Sequence, residues 1–436
     1  MNRLVALSRG LLRGDASKYL VVVLFRRTSN LAVTIPVAHV YGEEFFGQLS
    51  LILILASVFS SIASLGLEVV AVRAVAEDNP PMLRAVASLT LVITPLASLL
   101  AAGLICFLPF DTVFTLQRNS LALVVLLAGV TPAGMTYASA VLRARGFAND
   151  FLLMVVVTTT SAITVKLWLL FTQRLTVNSW LYVELGSAVL AWHWALKLKP
   201  GLRRGMPAFR EALNMGLPML PHNLFHSLIS NCDRFIIATL LGIGAAGTYS
   251  AAYQVPSVLG MALGEMNNAY IVTYAQANDR PALMNHIQGQ LRVMAAVIAV
   301  ASVLGPISNY LIFPASFASG TPIIPLLCLG FNGLALYLIA ANLITMRGKS
   351  TRAMWVISLS SGAANIALNF LLVPLWGLWG AAAANTVTYA LLGTLAAVIQ
   401  RRMEKSVSWT RLMLSKAFLA SIGLQMVVQI GWLSLG

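Results

Sequence analysis

Long apolar segments, interrupted at short intervals by clusters of polar residues, run through the whole of this 436-residue chain. A helix needs about 20 apolar residues to cross a bilayer. Segments of that length predict twelve transmembrane helices, at 18–39, 45–66, 82–109, 119–142, 151–171, 177–196, 213–240, 249–275, 291–313, 322–345, 354–373 and 380–400. A further apolar run at 412–435 predicts a thirteenth. The pattern indicates an all-α membrane protein.

Composition supports a bundle that lies in lipid along its whole length. Hydrophobic residues make up 58% of the chain, charged residues only 10%, and the mean hydropathy is +0.82. Soluble proteins carry about 25% charged residues. The first basic segment leads into a full-length span without a small-residue cleavage site, so no cleaved signal peptide is expected.

The net charge of +15 follows topology and does not form one basic patch. The N-terminus and the even-numbered connections hold 23 of the 29 Lys and Arg residues, whereas the odd-numbered connections hold only Arg118 and Arg174. The positive-inside rule therefore predicts a cytoplasmic N-terminus, and no nucleic-acid partner is expected. If 412–435 crosses the membrane, the C-terminus lies outside.

The residue types needed for metal or disulfide chemistry are sparse. Cys106, Cys232 and Cys328 lie far apart within predicted spans, which is typical of buried thiols. The five histidines show no metal-ligand spacing. We therefore expect neither a metal nor a cofactor, and no enzymatic activity.

An internal repeat is visible at an interval of 200 residues. Gly42, Gly47 and Ser50 match Gly242, Gly247 and Ser250, and both segments join an outward-going helix to an inward-going one. Six helices separate the two segments, so both halves have the same orientation, as in transporters built from parallel repeats. The predicted organisation is a six-helix lobe at 1–200, a second six-helix lobe at 201–405 and an additional apolar segment at 406–436.

Several motifs resemble one transporter family. Gly42-x4-Gly47 is followed by Gly66-Leu67 and Arg73 in the first half. The second half carries the string Asn231-x-Asp233-Arg234, Gly242-x4-Gly247-x-Tyr249 and Asn365-x3-Asn369-x4-Pro374-x2-Gly377-x2-Gly380-Ala381. In order and spacing, over about residues 15–400, they resemble the polysaccharide-transporter branch of the multidrug/oligosaccharidyl-lipid/polysaccharide exporter (MOP) superfamily.

That resemblance implies a fold and a substrate. The fold is two six-helix lobes around a central cationic cavity lined by helices 1, 2, 7 and 8. The activity is the flipping of undecaprenyl-pyrophosphate-linked oligosaccharide from the cytoplasmic to the periplasmic leaflet of the bacterial inner membrane. Membrane lipid and proteins of polysaccharide assembly are the other expected partners, and the protein is expected to act as a monomer. The thirteenth segment departs from the family, which has twelve or fourteen helices.

Arg26 and Arg27 lie inside the first predicted span, where a charge costs about 2.5–3.5 kcal/mol. Guanidinium groups donate bidentate hydrogen bonds to phosphate oxygens, and Asn30 is three or four residues further along the same helix. We therefore predict that these three residues bind the pyrophosphate. The alternative is that an arginine reaches back to the interface or pairs with an acid.

Helix 7 carries a second charged pair, Asp233 and Arg234. Two interpretations remain open: both residues contact the substrate, or they form an ion pair within the lobe. Pro218 and Pro221 are expected to break this helix. Small residues and aromatic residues are expected to line the cavity, among them Tyr249, Tyr253, Tyr270 and Trp355.

Lys166 and Glu184 lie at matching depths on consecutive helices. A salt bridge within the first lobe is one interpretation, and Lys166 as a substrate-binding cation is the other. Glu265 lies close in depth to Arg26 and Arg27 and is predicted to close an inner gate by pairing with one of them. The rival interpretation places Glu265 within its own lobe.

Two other classes of membrane protein would show a similar hydropathy pattern. A multidrug or cation antiporter of the same superfamily would need a buried carboxylate in the first lobe, but segment 18–39 carries arginines and no acid. A membrane enzyme of polysaccharide assembly would need a long external loop with acid and base groups. The outer connections here are all short, which favours the flippase.

Overall fold

The chain is almost entirely helical, as predicted. The computed structural model describes residues 15–107, 112–113, 116–198, 201, 206–276, 280–347, 351–403 and 407–435. Within these residues the only strands are β1 (Thr112–Val113) and β2 (Leu116–Gln117), which pair antiparallel. The chain divides into two compact units, one formed by Met1–Val37 and Ile52–Leu224, the other by Ala38–Leu51 and Phe225–Gly436.

The first unit begins with helix α1 (Asp15–Ala63), whose middle part, Ala38–Leu51, belongs to the second unit. The next helices are α2 (Leu67–Ala76), α3 (Pro80–Ser88), α4 (Thr94–Phe107), α5 (Arg118–Thr131), α6 (Tyr137–Ala144), α7 (Ala148–Phe171), α8 (Val177–Lys197) and α9 (Met206–Gly216). Two π-helical segments, Leu89–Ile93 and Pro132–Thr136, join α3 to α4 and α5 to α6.

Helix α10 (Leu220–Leu241) belongs to the first unit up to Leu224 and to the second from Phe225. It follows a 3-10 turn, Leu217–Met219, and a bend of 47° separates Pro207–Phe225 from Ile229–Leu241. The bend lies between Phe225 and Ile229, beyond both prolines, whereas the 3-10 turn contains Pro218 and is the break predicted there. Proline removes an amide donor, which interrupts the α-helical hydrogen-bond ladder at this point.

The second unit continues with α11 (Ile243–Ala252), α12 (Gln254–Gln276), α13 (Arg280–Ile312), the 3-10 segment Ala315–Ile323, α14 (Ile324–Asn342), the π segment Leu343–Arg347, α15 (Thr351–Trp376), α16 (Leu378–Met403), α17 (Trp409–Met413) and α18 (Lys416–Leu435). Helices α14 and α16 pack at backbone contact distance. A Cβ on Gly333 would lie 2.2 Å from the Tyr389 carbonyl oxygen, and one on Gly393 would lie 2.4 Å from that of Gly333. Small residues permit such close helix packing in membrane proteins.

Among the described residues, nine helices are long and apolar enough to cross a membrane, and the bent pair around α10 would make a tenth. Thr28–Ala63 counts once, although it overlaps two of the predicted spans, 18–39 and 45–66. The predicted spans 177–196 and 249–275 are not among the nine. The number of crossings therefore stays a prediction.

The C-terminal apolar segment packs into the second unit through polar side chains on one face of α18. Ser421 Oγ donates to the Ala295 carbonyl oxygen at 2.8 Å, and Gln425 Oε1 accepts from Asn332 Nδ2 at 3.1 Å. Gln429 Nε2 donates to the Pro322 carbonyl oxygen at 3.0 Å. Spacing of four residues places Ser421, Gln425 and Gln429 on one helix face, so α18 is anchored by hydrogen bonds as well as by apolar packing.

Candidate functional site

Arg26 and Asn30 are both exposed on α1, one helical turn apart. Arg26 follows an apolar run, Leu20–Phe25, and among the described side chains no carboxylate is within ion-pair distance of its guanidinium. The Arg27 side chain lies outside the described residues. Pyrophosphate binding by these three residues stays a prediction.

Asp233 and Arg234 form a buried ion pair within the second unit. Arg234 Nη1 lies 3.3 Å from Asp233 Oδ1, and the two residues are 6% and 0% exposed. The same nitrogen donates to the Ser230 carbonyl oxygen at 2.9 Å. The Arg234 guanidinium also lies 4.3 Å from the centre of the Tyr253 ring, a cation–π contact. Of the two interpretations left open, this geometry favours the pair within the unit, and substrate contact stays a prediction.

The second carboxylate oxygen of Asp233 is bound by two further helices. Tyr249 donates its hydroxyl to Oδ2 at 2.7 Å, and Asn385 Nδ2 donates to the same oxygen at 3.3 Å. Tyr249 and Tyr253 are 0% and 5% exposed, so the expectation that these two line a cavity is wrong for the structure seen here. The Tyr249 hydroxyl and the Tyr253 ring instead contact the Asp233–Arg234 pair.

The Asn-x3-Asn motif lies beside this pair. Asn365 Nδ2 donates to Thr388 Oγ1 at 3.0 Å, and Asn369 Nδ2 donates to the Asn365 carbonyl oxygen at 2.9 Å. The Cys232 thiol donates to Asn365 Oδ1 at 2.9 Å. Cys232 and Cys328 are buried as expected, whereas the same expectation is wrong for Cys106, which is exposed. The sequence analysis did not predict a role for Asn385. Its polar side chain within an otherwise apolar helix was the feature that could have indicated one.

Lys166 and Glu184 form the salt bridge that one interpretation of the sequence predicted. Lys166 Nζ lies 2.5 Å from Glu184 Oε1 and 4.0 Å from the centre of the Trp180 ring. The lysine side chain is 4% exposed and the glutamate side chain 30%. Because the ammonium is enclosed by a carboxylate and an aromatic face, the geometry favours a structural role. A role of Lys166 in substrate binding stays a prediction.

Glu265 is partly exposed on α12, beside a buried amide network. Asn267 Oδ1 accepts from Gln290 Nε2 at 3.1 Å and from Asn342 Nδ2 at 2.9 Å, and the Tyr274 hydroxyl donates to Gln290. The network joins α12, α13 and α14 at their polar positions. The proposed gate with Arg26 or Arg27 would involve residues assigned to different units and stays a prediction.

The two repeated segments contact each other within the second unit. A Cβ on Gly47 would lie 2.2 Å from the Ile243 carbonyl oxygen, and one on Gly247 would lie 2.0 Å from that of Glu43. These two contacts are equivalent under the 200-residue repeat. The Ser50 and Ser250 hydroxyl oxygens are 2.7 Å apart.

The turns that lead into these segments are also equivalent. Gly42 has φ 72° and ψ −169°, and Gly242 has φ 97° and ψ 165°. Only glycine adopts this region without strain. The segments Gly42–Ser50 and Gly242–Ser250, called the paired glycine segments below, therefore share both a backbone turn and a reciprocal contact.

Comparisons with known proteins agree with this architecture. Residues 14–272 match the family described as polysaccharide biosynthesis protein. The chain is similar to the lipid II flippase MurJ in an inward closed conformation, with 14% identity, coverage of 96% of this chain and 98% of that one, and a TM-score of 0.63. It is similar to a MOP superfamily transporter from Pyrococcus furiosus, with 16% identity, coverage of 93% and 98% of the two chains, and a TM-score of 0.64. It is also similar to an inward-facing multidrug resistance MATE family transporter, with 12% identity, coverage of 89% and 98% of the two chains, and a TM-score of 0.63.

At these identities the solved structures show the fold alone, and that fold is shared by transporters of the MOP superfamily. A search of curated protein sequences finds no significant match. The family match is independent of the fold and covers more than half of the 436 residues. The chain therefore belongs to the polysaccharide biosynthesis protein family.

Proposed function

We propose that this protein is a flippase that moves undecaprenyl-pyrophosphate-linked oligosaccharide from the cytoplasmic to the periplasmic leaflet of the bacterial inner membrane. The product supplies the synthesis of a surface polysaccharide such as O-antigen, capsule or exopolysaccharide. The observation that carries the proposal is the exposed guanidinium of Arg26 on an apolar helix, in a chain of the polysaccharide biosynthesis protein family.

The chemistry of the head group explains the need for such a cation. A pyrophosphate carries concentrated negative charge, and its transfer through a layer of low dielectric constant is unfavourable without a counter-charge. Guanidinium stays protonated and donates two parallel hydrogen bonds to phosphate oxygens. No covalent bond is made or broken, so the protein needs a binding group and two access states.

The paired glycine segments support alternating access. By the charge distribution they lie at the periplasmic end, and their contact would close that end while the substrate enters from the cytoplasm. Binding of the substrate must then favour the state in which the contact opens. A multidrug or cation antiporter of this fold would share that step, but the family match and the cationic α1 favour a lipid-linked oligosaccharide.

Substitution of Arg26 tests the proposal. In cells that depend on this protein, Arg26→Ala, alone and with Arg27→Ala, is expected to lower surface polysaccharide about tenfold or more, because charge-assisted hydrogen bonds of about 1.5–3 kcal/mol are lost. Arg26→Lys should restore part of the export, since lysine keeps the charge without the bidentate geometry.

Arg402→Ala provides the matched control, because Arg402 is an exposed arginine in the last turn of α16 and should be dispensable. Membrane levels of every variant are measured by immunoblot. Normal export by the Arg26→Ala, Arg27→Ala double variant would contradict the proposal.

A further inference from the structure

A row of polar side chains runs along one face of α12, within the second unit. Gln254, Ser257 and Glu265 are all partly exposed, and Met261 lies between them on the same face. Residues separated by seven or eleven positions project in nearly the same direction, because these intervals are close to two and three turns of an α-helix. The row, called the polar stripe below, therefore extends for about 16 Å from Gln254 to Glu265.

The opposite face of α12 packs against the rest of the second unit. Leu259 and Leu263 are 3% and 0% exposed, and a Cβ on Gly260 would lie 2.9 Å from Phe331 Cε1. On the side of the polar stripe, a Cβ on Gly264 would meet no neighbouring heavy atom within 4 Å among the described residues. The polar stripe therefore borders open space.

The polar groups of the stripe have no partner among the described residues. No hydrogen bond joins the side chains of Gln254, Ser257 or Glu265 to a described group, and no described basic side chain lies within ion-pair distance of the Glu265 carboxylate. Asn267, on the packed face of the same helix, is instead bonded to two amide side chains of the unit. The polar atoms of the stripe are therefore available to a ligand.

Lipid is an unfavourable neighbour for the polar stripe. Glu265 lies about ten residues from the inner end of the predicted span 249–275. Hydrocarbon offers no hydrogen-bond partner, and carboxylates within membrane segments almost always face protein or a water-filled cavity. The stripe is therefore suited to water and to a polar ligand.

We propose that the polar stripe binds the oligosaccharide part of the lipid-linked substrate, with Glu265 accepting hydrogen bonds from neighbouring sugar hydroxyls. A carboxylate has two acceptor oxygens, and Gln254 and Ser257 each offer both a donor and an acceptor, as do the hydroxyl groups of an uncharged sugar. Met261 adds an adaptable apolar contact for the C–H groups of a sugar ring. Hydrogen bonds to a carboxylate are the strongest of this set, so Glu265 contributes most to the affinity.

The charge of Glu265 also sets the class of sugar. An acidic sugar would bring a second negative charge against the carboxylate, and such repulsion selects against the wrong ligand. This binding mode rests on the proposed function, because it concerns the sugar part of the same substrate, but it uses only residues of the second unit. It differs from the predicted gate, in which Glu265 would pair with Arg26 or Arg27.

Binding is measured on the purified, detergent-solubilised full chain with three probes. They are the lipid-linked oligosaccharide extracted from the host strain, undecaprenyl pyrophosphate without sugar, and the oligosaccharide released from the first probe. Glu265→Ala should weaken binding of the lipid-linked oligosaccharide about tenfold or more and leave that of undecaprenyl pyrophosphate unchanged. Glu265→Gln should lose less affinity, because the amide keeps one neutral acceptor.

A matched control and a second variant separate binding from folding. Glu211→Ala removes an exposed carboxylate on α9 and should bind all three probes as the wild type does. Gln254→Ala combined with Ser257→Ala should weaken binding of the lipid-linked oligosaccharide but not of undecaprenyl pyrophosphate. Thermal unfolding of each variant should give the wild-type Tm, because the altered side chains bond to no described residue.

Several results would overturn the proposal. Glu265→Ala might bind the lipid-linked and the released oligosaccharide as the wild type does, or lose affinity for undecaprenyl pyrophosphate to the same extent. Tighter binding of undecaprenyl pyrophosphate by Glu265→Ala would instead assign the carboxylate to a pair with an arginine.

Failure of the proposed function gives a different pattern. Arg26→Ala should weaken binding of both lipids but not of the released oligosaccharide. A wild-type protein that binds the released oligosaccharide and neither lipid would contradict the flippase and support the sugar site. A folded wild-type protein that binds none of the three probes would overturn both.

Discussion

Buried charges in this protein are held by an opposite charge together with aromatic rings. Lys166 contacts Glu184 and the Trp180 ring, and Arg234 contacts Asp233 and the Tyr253 ring. Each arrangement stabilises a buried cation, whose removal from water would otherwise be unfavourable in free energy. Arg26 has neither kind of neighbour among the described residues, and its role in binding the pyrophosphate stays a proposal.

The Lys166–Glu184 pair is expected to be structural. Lys166→Met or Glu184→Gln alone leaves one charge unpaired, and each should lower stability by an amount at or below the ~3 kcal/mol typical of fully buried pairs, because Glu184 is partly exposed. The double variant should recover most of the loss. Thermal unfolding in detergent and membrane levels provide the measurement.

A control for that experiment is Lys197→Met, because Lys197 and Asp150 form an exposed pair at 3.8 Å that should contribute below about 1 kcal/mol. If Lys166→Met were as stable as the wild type but inactive in export, the structural role would be wrong, and Lys166 would belong to the substrate site.

Some side-chain contacts could be predicted from the sequence, and others could not. The Lys166–Glu184 contact was predictable because the two charges lie on consecutive helices at equal depth. The Asn385 contact to Asp233 spans 152 residues and depends on how α10 and α16 pack, which no local pattern specifies.

At the scale of elements, the paired glycine segments determine how closely two helix ends approach. Gly47 and Gly247 each place their Cα against a carbonyl oxygen of the opposite segment, and a Cβ on either would force the segments apart. The repeat was visible in the sequence as matching glycines and serines. The contact between the repeated segments was not visible in the sequence, because a repeat predicts similar local structure but does not predict which surfaces meet.

Cysteines at the paired serines should form a disulfide. In a background lacking Cys106, Cys232 and Cys328, Ser50→Cys with Ser250→Cys is expected to cross-link readily, since the hydroxyl oxygens are 2.7 Å apart. Cross-linking should stop export, and reduction should restore it. Each single variant is the control. Full export by the quantitatively cross-linked protein would show that this contact does not open during transport.

Only some of the helix interruptions could be predicted from the sequence. The break before α10 was predictable from Pro218 and Pro221. The π segments at Leu89–Ile93 and Pro132–Thr136 were not, although Pro132 gives a partial signal. A π segment inserts one residue into a helix without changing its hydropathy, so the pattern of apolar residues does not reveal it.

For the whole molecule, the fold class followed from hydropathy and the family followed from motif order. Orientation depends on charge alone and is testable. Arg174→Cys, in the cysteine-free background, should react with an impermeant maleimide in intact cells, whereas Arg402→Cys should react only after permeabilisation. Labelling at position 402 in intact cells would reverse the proposed topology, and with it the periplasmic position of the paired glycine segments.

The central claim is that the protein moves a pyrophosphate-linked oligosaccharide across a bilayer. The most direct measurement uses proteoliposomes that contain the purified protein and a fluorescent undecaprenyl-pyrophosphate-linked oligosaccharide, with quenching by an impermeant reagent to report the outer leaflet. We expect rapid, protein-dependent redistribution between leaflets that is strongly reduced by Arg26→Ala and retained by Arg402→Ala. Redistribution at the protein-free rate by the folded wild-type protein, with Na⁺ and pH gradients in either direction, would contradict it.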